Sequence, residues 1–197
     1  MTTEIAERPS LALRLKTETN DQHERMHRLM ERGQPFASRE NYLRYVAAQY
    51  LFQRDVEHLF ADAKVRAAVP DIDVRGRQTA SLTDLADLGA QAPQDDFIAS
   101  AGVAMPEALG WLYVSEGSTL GAAFLLKEAQ ANLGLTPEFG ARNLAAYPEG
   151  RAAVWRRFVA SLDSEAISPE EHDAVIAGAN AAYNRFGDLL SRYFQLS

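Results

Sequence analysis

The sequence contains no cysteine. This absence excludes disulfide bonds, thiolate metal sites and cysteine nucleophiles. A P-loop and a dinucleotide-binding glycine motif are also missing, so the chain carries no sign of its own nucleotide, flavin or nicotinamide site.

Long apolar runs and excess positive charge are lacking as well. No run reaches about 18 apolar residues, so we expect no membrane span. Residues 1–8 have neither a basic region nor an apolar core of a secretory signal, which favours a cytoplasmic location. The net charge of −7 and the pI near 5.1 argue against general binding to nucleic acid or to an anionic membrane.

What the sequence does have is enough apolar material for a core. Its 197 residues are 47% hydrophobic, which predicts one domain over residues 1–197, with about residues 1–9 as a flexible tail. Apolar residues recur with helical spacing, and no segment alternates with a period of two. The sequence therefore predicts an all-α fold.

Local signals place the helix ends. Ser10 and Ser38 are candidate N-caps, Gly33, Gly89 and Gly134 are candidate helix ends, and Pro106 suits a first turn. The Ser-Pro-Glu-Glu of residues 168–171 predicts a capping box. These signals predict helices over the following residues: 10–33, 38–60, 75–88, 106–134, 150–163 and 168–193.

The helix that begins after Pro106 contains Gly110, Gly117 and Gly121. A glycine inside a helix costs roughly 0.5–1 kcal/mol relative to alanine. Three of them require a cause, either a kink or a close approach of the backbone to something large or flat. Gly117 and Gly121 form one stripe with Tyr113, which suits either a helix crossing or a ligand, and the pattern alone does not choose.

His23 is the most informative of the four histidines. It lies on the same helix face as Lys16, about 10.5 Å further along the axis. A neutral imidazole facing a flat pocket can hold haem iron, with the lysine paired to a propionate. The alternatives are a histidine at the edge of the core and a solvated lysine. His23 and His27 are spaced for a metal, but no third ligand completes a set.

Three longer segments identify a resemblance. They are Gln-Pro-Phe-Ala-Ser-Arg-Glu-Asn-Tyr at 34–42, Ala-Leu-Gly-Trp-Leu-Tyr-Val-Ser-Glu-Gly-Ser-Thr-Leu-Gly-Ala-Ala-Phe-Leu at 108–125, and Phe-Gly-Ala-Arg-Asn-Leu at 139–144. With the N-terminal histidine at the matching distance, residues 10–195 resemble the short proteobacterial haem oxygenases. The resemblance implies a single helical domain with haem between an N-terminal proximal helix and a kinked, glycine-rich distal helix.

The resemblance also implies roles for individual residues. His23 matches the proximal iron ligand, and Gly117 and Gly121 match the glycines that lie over the haem. Lys16 and Tyr113 match positions that contact the propionates. The remaining matches are pocket-wall positions and a distal polar network with its water: Ser118, Thr119, Met26 and Phe186 for the wall, and Gln49, Gln53 and Arg142 for the network.

One departure within the family bears on which carbon is cut. Some relatives have Asn and Phe in place of Lys16 and Tyr113, and Lys in place of Glu128. They seat the haem rotated and cleave at the β and δ carbons. Here a rotated haem would lose its cation and meet a carboxylate, so we expect cleavage at the α-meso carbon.

The resemblance therefore implies an enzyme that cleaves haem b with O₂ to biliverdin IXα, CO and ferrous iron, for iron acquisition or bilin supply. The electrons must come from an external donor, such as a ferredoxin, a flavodoxin-like protein or a ferredoxin reductase. A protein that accepts the bilin is a further possible partner, and relatives of this size commonly work as monomers.

Three other functions compete with this one. A haem carrier or sensor would use the same pocket without chemistry. A different enzyme on the same fold, acting on a thiamine-type small molecule, would want a cysteine or carboxylates in its core. A purely structural helical module would leave the three glycines without a cause.

Overall fold

The computed structural model describes residues 9–197, so the tail expected over about residues 1–9 lies almost wholly outside the described residues. Within them the fold is all-α, as predicted, with no strand and only two isolated bridges at residues 136–140. The α-helices are α1 Leu11–Glu18, α2 Asn20–Gly33, α3 Arg39–His58, α4 Ala63–Ala68, α5 Gln78–Asp87, α6 Glu107–Leu133, α7 Arg151–Leu162 and α8 His172–Phe194. Short 3₁₀ turns occupy Leu59–Ala61, Ile72–Val74, Arg142–Leu144 and Pro169–Glu171.

Several predicted helix ends are confirmed by their capping bonds. The Ser10 and Ser38 hydroxyls accept hydrogen bonds from Leu13 N and Asn41 N at 3.2 and 3.1 Å. Gly134 ends α6 with a φ of 66°, a left-handed conformation that favours glycine. The capping box of Ser168 and Glu171 is present, although it opens a 3₁₀ turn that leads into α8.

The helix predicted over residues 10–33 is wrong in one respect, because Thr19 divides it into α1 and α2. Thr19 has φ −107° and ψ 8°, and its hydroxyl donates to Leu15 O at 2.6 Å. A side chain that bonds the carbonyl four residues back competes with the helix ladder and bends it. The predicted helix over 75–88 is also shorter, since it begins only at Gln78.

Helix α8 lies at the centre of the molecule, packed against α2, α3 and α6. The crossing of α6 and α8 is made by two glycines. A Cβ on Gly110 would lie 2.1 Å from Val175 O, and one on Gly178 would lie 2.0 Å from Glu107 O. Only glycine permits backbones this close, and the resulting core is a single cluster that runs through all the long helices.

Helices α1 and α2 are held along one side of this core. Ala12 N donates to the Asp163 carboxylate at 3.0 Å, and Arg14 pairs with Asp173 at 2.8 Å. Gly187 of α8 lets Met26 of α2 approach closely, since a Cβ there would lie 2.9 Å from the Met26 methyl carbon. This attachment fixes α2 opposite α6 and leaves space between them.

Candidate functional site

A cavity of about 1140 Å³ opens between α1 and α2 on one side and α6 on the other. It exceeds the range of about 300–1,000 Å³ typical of small-ligand pockets, so it suits a large ligand. Helices α3, α7 and α8 supply the remaining walls. Nine of the twelve residues predicted for the site line it: Lys16, His23, Met26, Gln49, Tyr113, Gly117, Ser118, Gly121 and Phe186.

The glycines of α6 have two different causes. Gly110 serves the crossing with α8 and faces away from the cavity. Gly117 and Gly121 line the cavity, and a Cβ on Gly121 would meet nothing within 4 Å. A Cβ on Gly117 would lie 3.7 Å from the Trp155 ring. The cavity-lining pair therefore keeps space open, and the two explanations left open by the pattern each apply to a different glycine.

His23 and His27 face the cavity from consecutive turns of α2, with ring centroids 4.6 Å apart. Burial lowers the pKa of His23, and the neighbouring His27 lowers it further. Its imidazole is therefore neutral near pH 7 and able to offer a lone pair to a metal. Across residues 9–197 no group of three or more His, Asp or Glu side chains could hold a metal ion alone.

One end of the cavity gathers a cation and three hydroxyls. Lys16 lies one turn before Thr19, and Tyr113 and Tyr183 both interact with the Thr19 side chain. Burial raises the pKa of both tyrosines, to about 12 for Tyr183, so both phenols remain donors. This end can bind anionic groups such as carboxylates.

The other end of the cavity carries the opposite charge. Glu31 and Glu128 line it, together with Gln34 and Asn132. Glu128 lies 15 residues after Tyr113 on α6, which places it about 22 Å along the axis. The cavity is thus polar at both ends and has one positive and one negative mouth.

Its middle is apolar. Met26 of α2, Phe52 of α3 and Phe186 of α8 form this part, and the Phe52 and Phe186 rings lie 5.1 Å apart. Trp155 of α7 closes the side next to Tyr113, at a ring-centroid distance of 5.8 Å. A flat aromatic ligand would find stacking surfaces here with its polar groups left at the ends.

A polar layer lies behind the α3 and α6 walls, and its main member is Arg77, which was not predicted from the sequence. This buried guanidinium donates to Ser115 O at 2.6 Å and to the Ser118 hydroxyl at 3.0 Å. Gln53 does not line the cavity but donates to the Ser115 hydroxyl at 3.2 Å. Of the predicted network, Gln49 therefore lines the cavity, and Gln53 lies one layer back, where it shares the Ser115 hydroxyl with Arg77.

Two predicted site residues lie elsewhere. The Thr119 hydroxyl donates to Glu116 O at 2.6 Å, so this side chain bonds to its own helix and does not line the cavity. Arg142 pairs with Asp87 and lies 3.6 Å from Asp84, outside the cavity. Its predicted place in the distal network is not what the structure shows, because the two aspartates of α5 draw it away.

An ion pair next to the cavity also escaped the sequence analysis. Arg75, with a wholly buried side chain, donates to Glu116 at 2.7 Å, to Asp71 at 2.8 Å and to Val154 O at 3.4 Å. The Tyr147 hydroxyl donates to Glu116 at 3.0 Å. This network joins α6, α7 and the turn before α5 immediately behind the wall at Gly117.

Comparisons with known proteins agree with this architecture. The sequence model of the haem oxygenase family matches residues 9–192. Heme oxygenase PigA of Pseudomonas aeruginosa is 49% identical over 182 residues, which cover 92% of this chain and 91% of that protein. The chain belongs to the haem oxygenase family. The prediction of an enzyme of this family is thereby confirmed.

Solved haem oxygenases have the same fold. The enzyme from Neisseria meningitidis, known in NO- and CO-bound forms, matches with a TM-score of 0.89 and 38% identity, covering 96% of this chain and 94% of that one. The haem oxygenase of Leptospira interrogans is 19% identical with a TM-score of 0.79, covers 93% of this chain and all of that one, and supports the fold alone. In the described part of this chain, no helix is both long and apolar enough to cross a membrane.

Proposed function

We propose that this haem oxygenase cleaves haem at the α-meso carbon and releases biliverdin IXα, CO and ferrous iron. The cavity between α2 and α6, with a neutral His23 on one side and the Gly117–Gly121 stripe on the other, carries this proposal. Haem, when bound, supplies the iron that activates O₂ and is itself the compound that is cut. The protein supplies binding, orientation and hydrogen bonds.

In this proposal His23 is the protein ligand of the iron. Its pKa is lowered by burial, so the free base is available without loss of a proton. A thiolate ligand pushes electron density toward the iron and so favours cleavage of the O–O bond. An imidazole ligand lacks this effect. This chain has no cysteine with which to supply a thiolate.

Gly117 and Gly121 leave the opposite face without a side chain. Because no acid or imidazole projects from them, protons must be delivered through water, which the polar wall formed by Gln49 and Ser118 can position. Backbone close to the ligand restricts where a small molecule can lie, and such orientation lowers a barrier without chemical participation. The same two glycines allow α6 to flex when the product leaves.

The two charged ends select the orientation of the substrate. Propionates gain a cation from Lys16 and the phenols of Tyr113 and Tyr183, whereas a rotated haem would meet Glu128. Glu31, which the sequence analysis did not single out, lines the same acidic end and adds to that repulsion. This asymmetry favours the α-meso edge.

The electrons come from a separate protein, which we propose is a ferredoxin, a flavodoxin-like protein or a ferredoxin reductase. The test is direct. Haemin is added to the protein with ascorbate or a ferredoxin system in air, the spectrum is followed, and the bilin is identified by chromatography. We expect loss of the Soret band and biliverdin IXα. Haem that stays intact would identify a carrier, and mainly β or δ isomers would refute the proposed orientation.

A further inference from the structure

Tyr45 is a buried phenol in the cavity that the proposed function has not used. It lies on α3, is 2% exposed and lines the cavity. Gln49 follows one turn later on the same face and also lines the cavity. The Gln49 side-chain amide donates to the Tyr45 hydroxyl oxygen at 2.8 Å.

In this bond Gln49 is the donor and the Tyr45 oxygen is the acceptor. The one proton of the Tyr45 hydroxyl is therefore still available for donation to another group. No side chain or carbonyl among residues 9–197 accepts a hydrogen bond from Tyr45. An unmade hydrogen bond at a buried group is costly, and the direction left to this proton is the cavity.

The hydroxyl keeps its proton across the physiological range. Burial raises the pKa of Tyr45 to about 12, although the Gln49 hydrogen bond and the nearby Arg77 charge act in the opposite direction. Tyr45 is therefore a donor and not a base at any pH at which the protein works.

The ring of Tyr45 is held in place by its neighbours. The Phe36 and Tyr42 rings lie 6.4 and 6.1 Å away, centroid to centroid. The oxygen is fixed by Gln49, so both ends of the side chain are constrained. A donor positioned in this way needs no reorganisation when a ligand arrives.

The other hydroxyls of the cavity are already engaged. Ser118 donates to Ser115 O at 2.6 Å and accepts from Arg77. Tyr113 and Tyr183 belong to the end at Thr19. Tyr45 differs from them in having a fixed oxygen and a proton without an acceptor.

We propose that Tyr45 donates a hydrogen bond into the haem cavity and orients the water or small ligand bound beside the haem, with Gln49 fixing the direction of its hydroxyl. The inference rests on the proposed function, because it requires haem in this cavity. It adds a free hydrogen-bond donor to the polar wall formed by Gln49 and Ser118.

The test compares two tyrosines one turn apart. Tyr45→Phe removes the cavity donor. Tyr42→Phe is the matched control, because Tyr42 is equally buried but donates to Gly140 O at 2.8 Å, outside the cavity. Each protein is loaded with haem, reduced under CO, and examined for its C–O stretching frequency and its rate of bilin formation.

A donor near the CO oxygen lowers the C–O stretch, so we expect Tyr45→Phe to shift it upward and Tyr42→Phe to leave it where it is in the parent protein. Loss of one hydrogen bond worth about 1.4 kcal/mol should slow bilin formation about tenfold in Tyr45→Phe. The Tyr42 variant should keep the parent rate.

Two results would overturn the inference while the proposed function stands. In the first, the parent protein binds and cleaves haem, and the Tyr45→Phe variant has the same C–O stretching frequency and the same rate of bilin formation. In the second, Tyr45→Phe and Tyr42→Phe shift the C–O stretching frequency equally, which would indicate general loosening of α3. A parent protein that fails to bind haem would instead overturn the proposed function and this inference with it.

Discussion

Gly110 of α6 and Val175 of α8 approach so closely that a Cβ carbon on Gly110 would lie 2.1 Å from the Val175 carbonyl oxygen. Gly110→Ala must therefore push two central helices apart, and we expect it to lower the free energy of unfolding by about 3 kcal/mol. Denaturant titration measures this.

The matched control is Gly121→Ala, on the same helix with nothing within 4 Å of the added carbon. Here the better helix propensity of alanine should raise stability by up to about 1 kcal/mol. Equal effects of the two substitutions would show that the α6–α8 crossing is looser than described.

His23→Ala removes the proposed iron ligand. We expect haem to bind more weakly, with a changed Soret band, and bilin formation to be lost. Absorption spectra of the haem complex and product analysis measure both effects. His58→Ala is the control, since His58 is exposed on α3 and does not line the cavity. Normal turnover in His23→Ala would show that His23 is not the iron ligand.

The orientation of the haem can be reversed through its two ends. Lys16→Asn, Tyr113→Phe and Glu128→Lys together move the cation from one end to the other. Two exposed charge interactions of about 1 kcal/mol each would change the seating ratio about thirtyfold, away from biliverdin IXα. The triple variant adds one unit of positive charge, so Gln130→Lys, on the outer face of α6, is the charge-matched control and should leave the isomer pattern unchanged.

A large side chain at Gly117 or Gly121 should change turnover and the site of cleavage more than it changes the stability of the fold. The side chain introduced by Gly121→Leu would occupy the cavity, and we expect slower turnover or misdirected cleavage. Ala131→Leu places the same side chain on an exposed part of α6 outside the cavity. If rate and bilin isomer are the same in both variants, the stripe does not lie over the substrate.

Asp87 links stability to pH. The Gly140 N–H, 2.9 Å from its carboxylate, lowers the pKa of Asp87 below the ordinary 3.8, and Arg142 lowers it further. A lowered pKa in the folded protein gives stability that is complete above about pH 4 and is lost as the pH falls through the lowered value. Asp87→Asn should therefore flatten the decline in unfolding free energy between pH 4 and pH 2, and Asp96→Asn, in the exposed loop before α6, should not.

The parts of the fold that could be predicted from the sequence are those determined by interactions between residues close together in the chain. Ser10, Ser38 and Gly134 act on backbone groups within a few residues of themselves, so their caps were predictable. The division at Thr19 was not, because apolar spacing continues through it. Arg77 could not be found because it reaches the cavity wall only by packing against Ser115 and Ser118, about 40 residues away in the chain.

The candidate site follows the same rule. Gly117 and Gly121 were predicted from a motif of many residues and His23 from its distance to the motifs, and the cavity does bring the three together. Arg142 belongs to such a motif too, but the partners that determine its position, Asp84 and Asp87, lie more than 50 residues earlier. Sequence motifs thus located the ligand-facing helices better than the ion pairs behind them.

The position of Arg75 has a consequence for genetics. Two of its partners, Glu116 and Val154, are the chain neighbours of Gly117 and Trp155, which face each other across the cavity wall. A mutation of codon 75 would therefore change no substrate contact and would still move both sides of that wall. A genetic screen confined to substrate-contacting positions would overlook it.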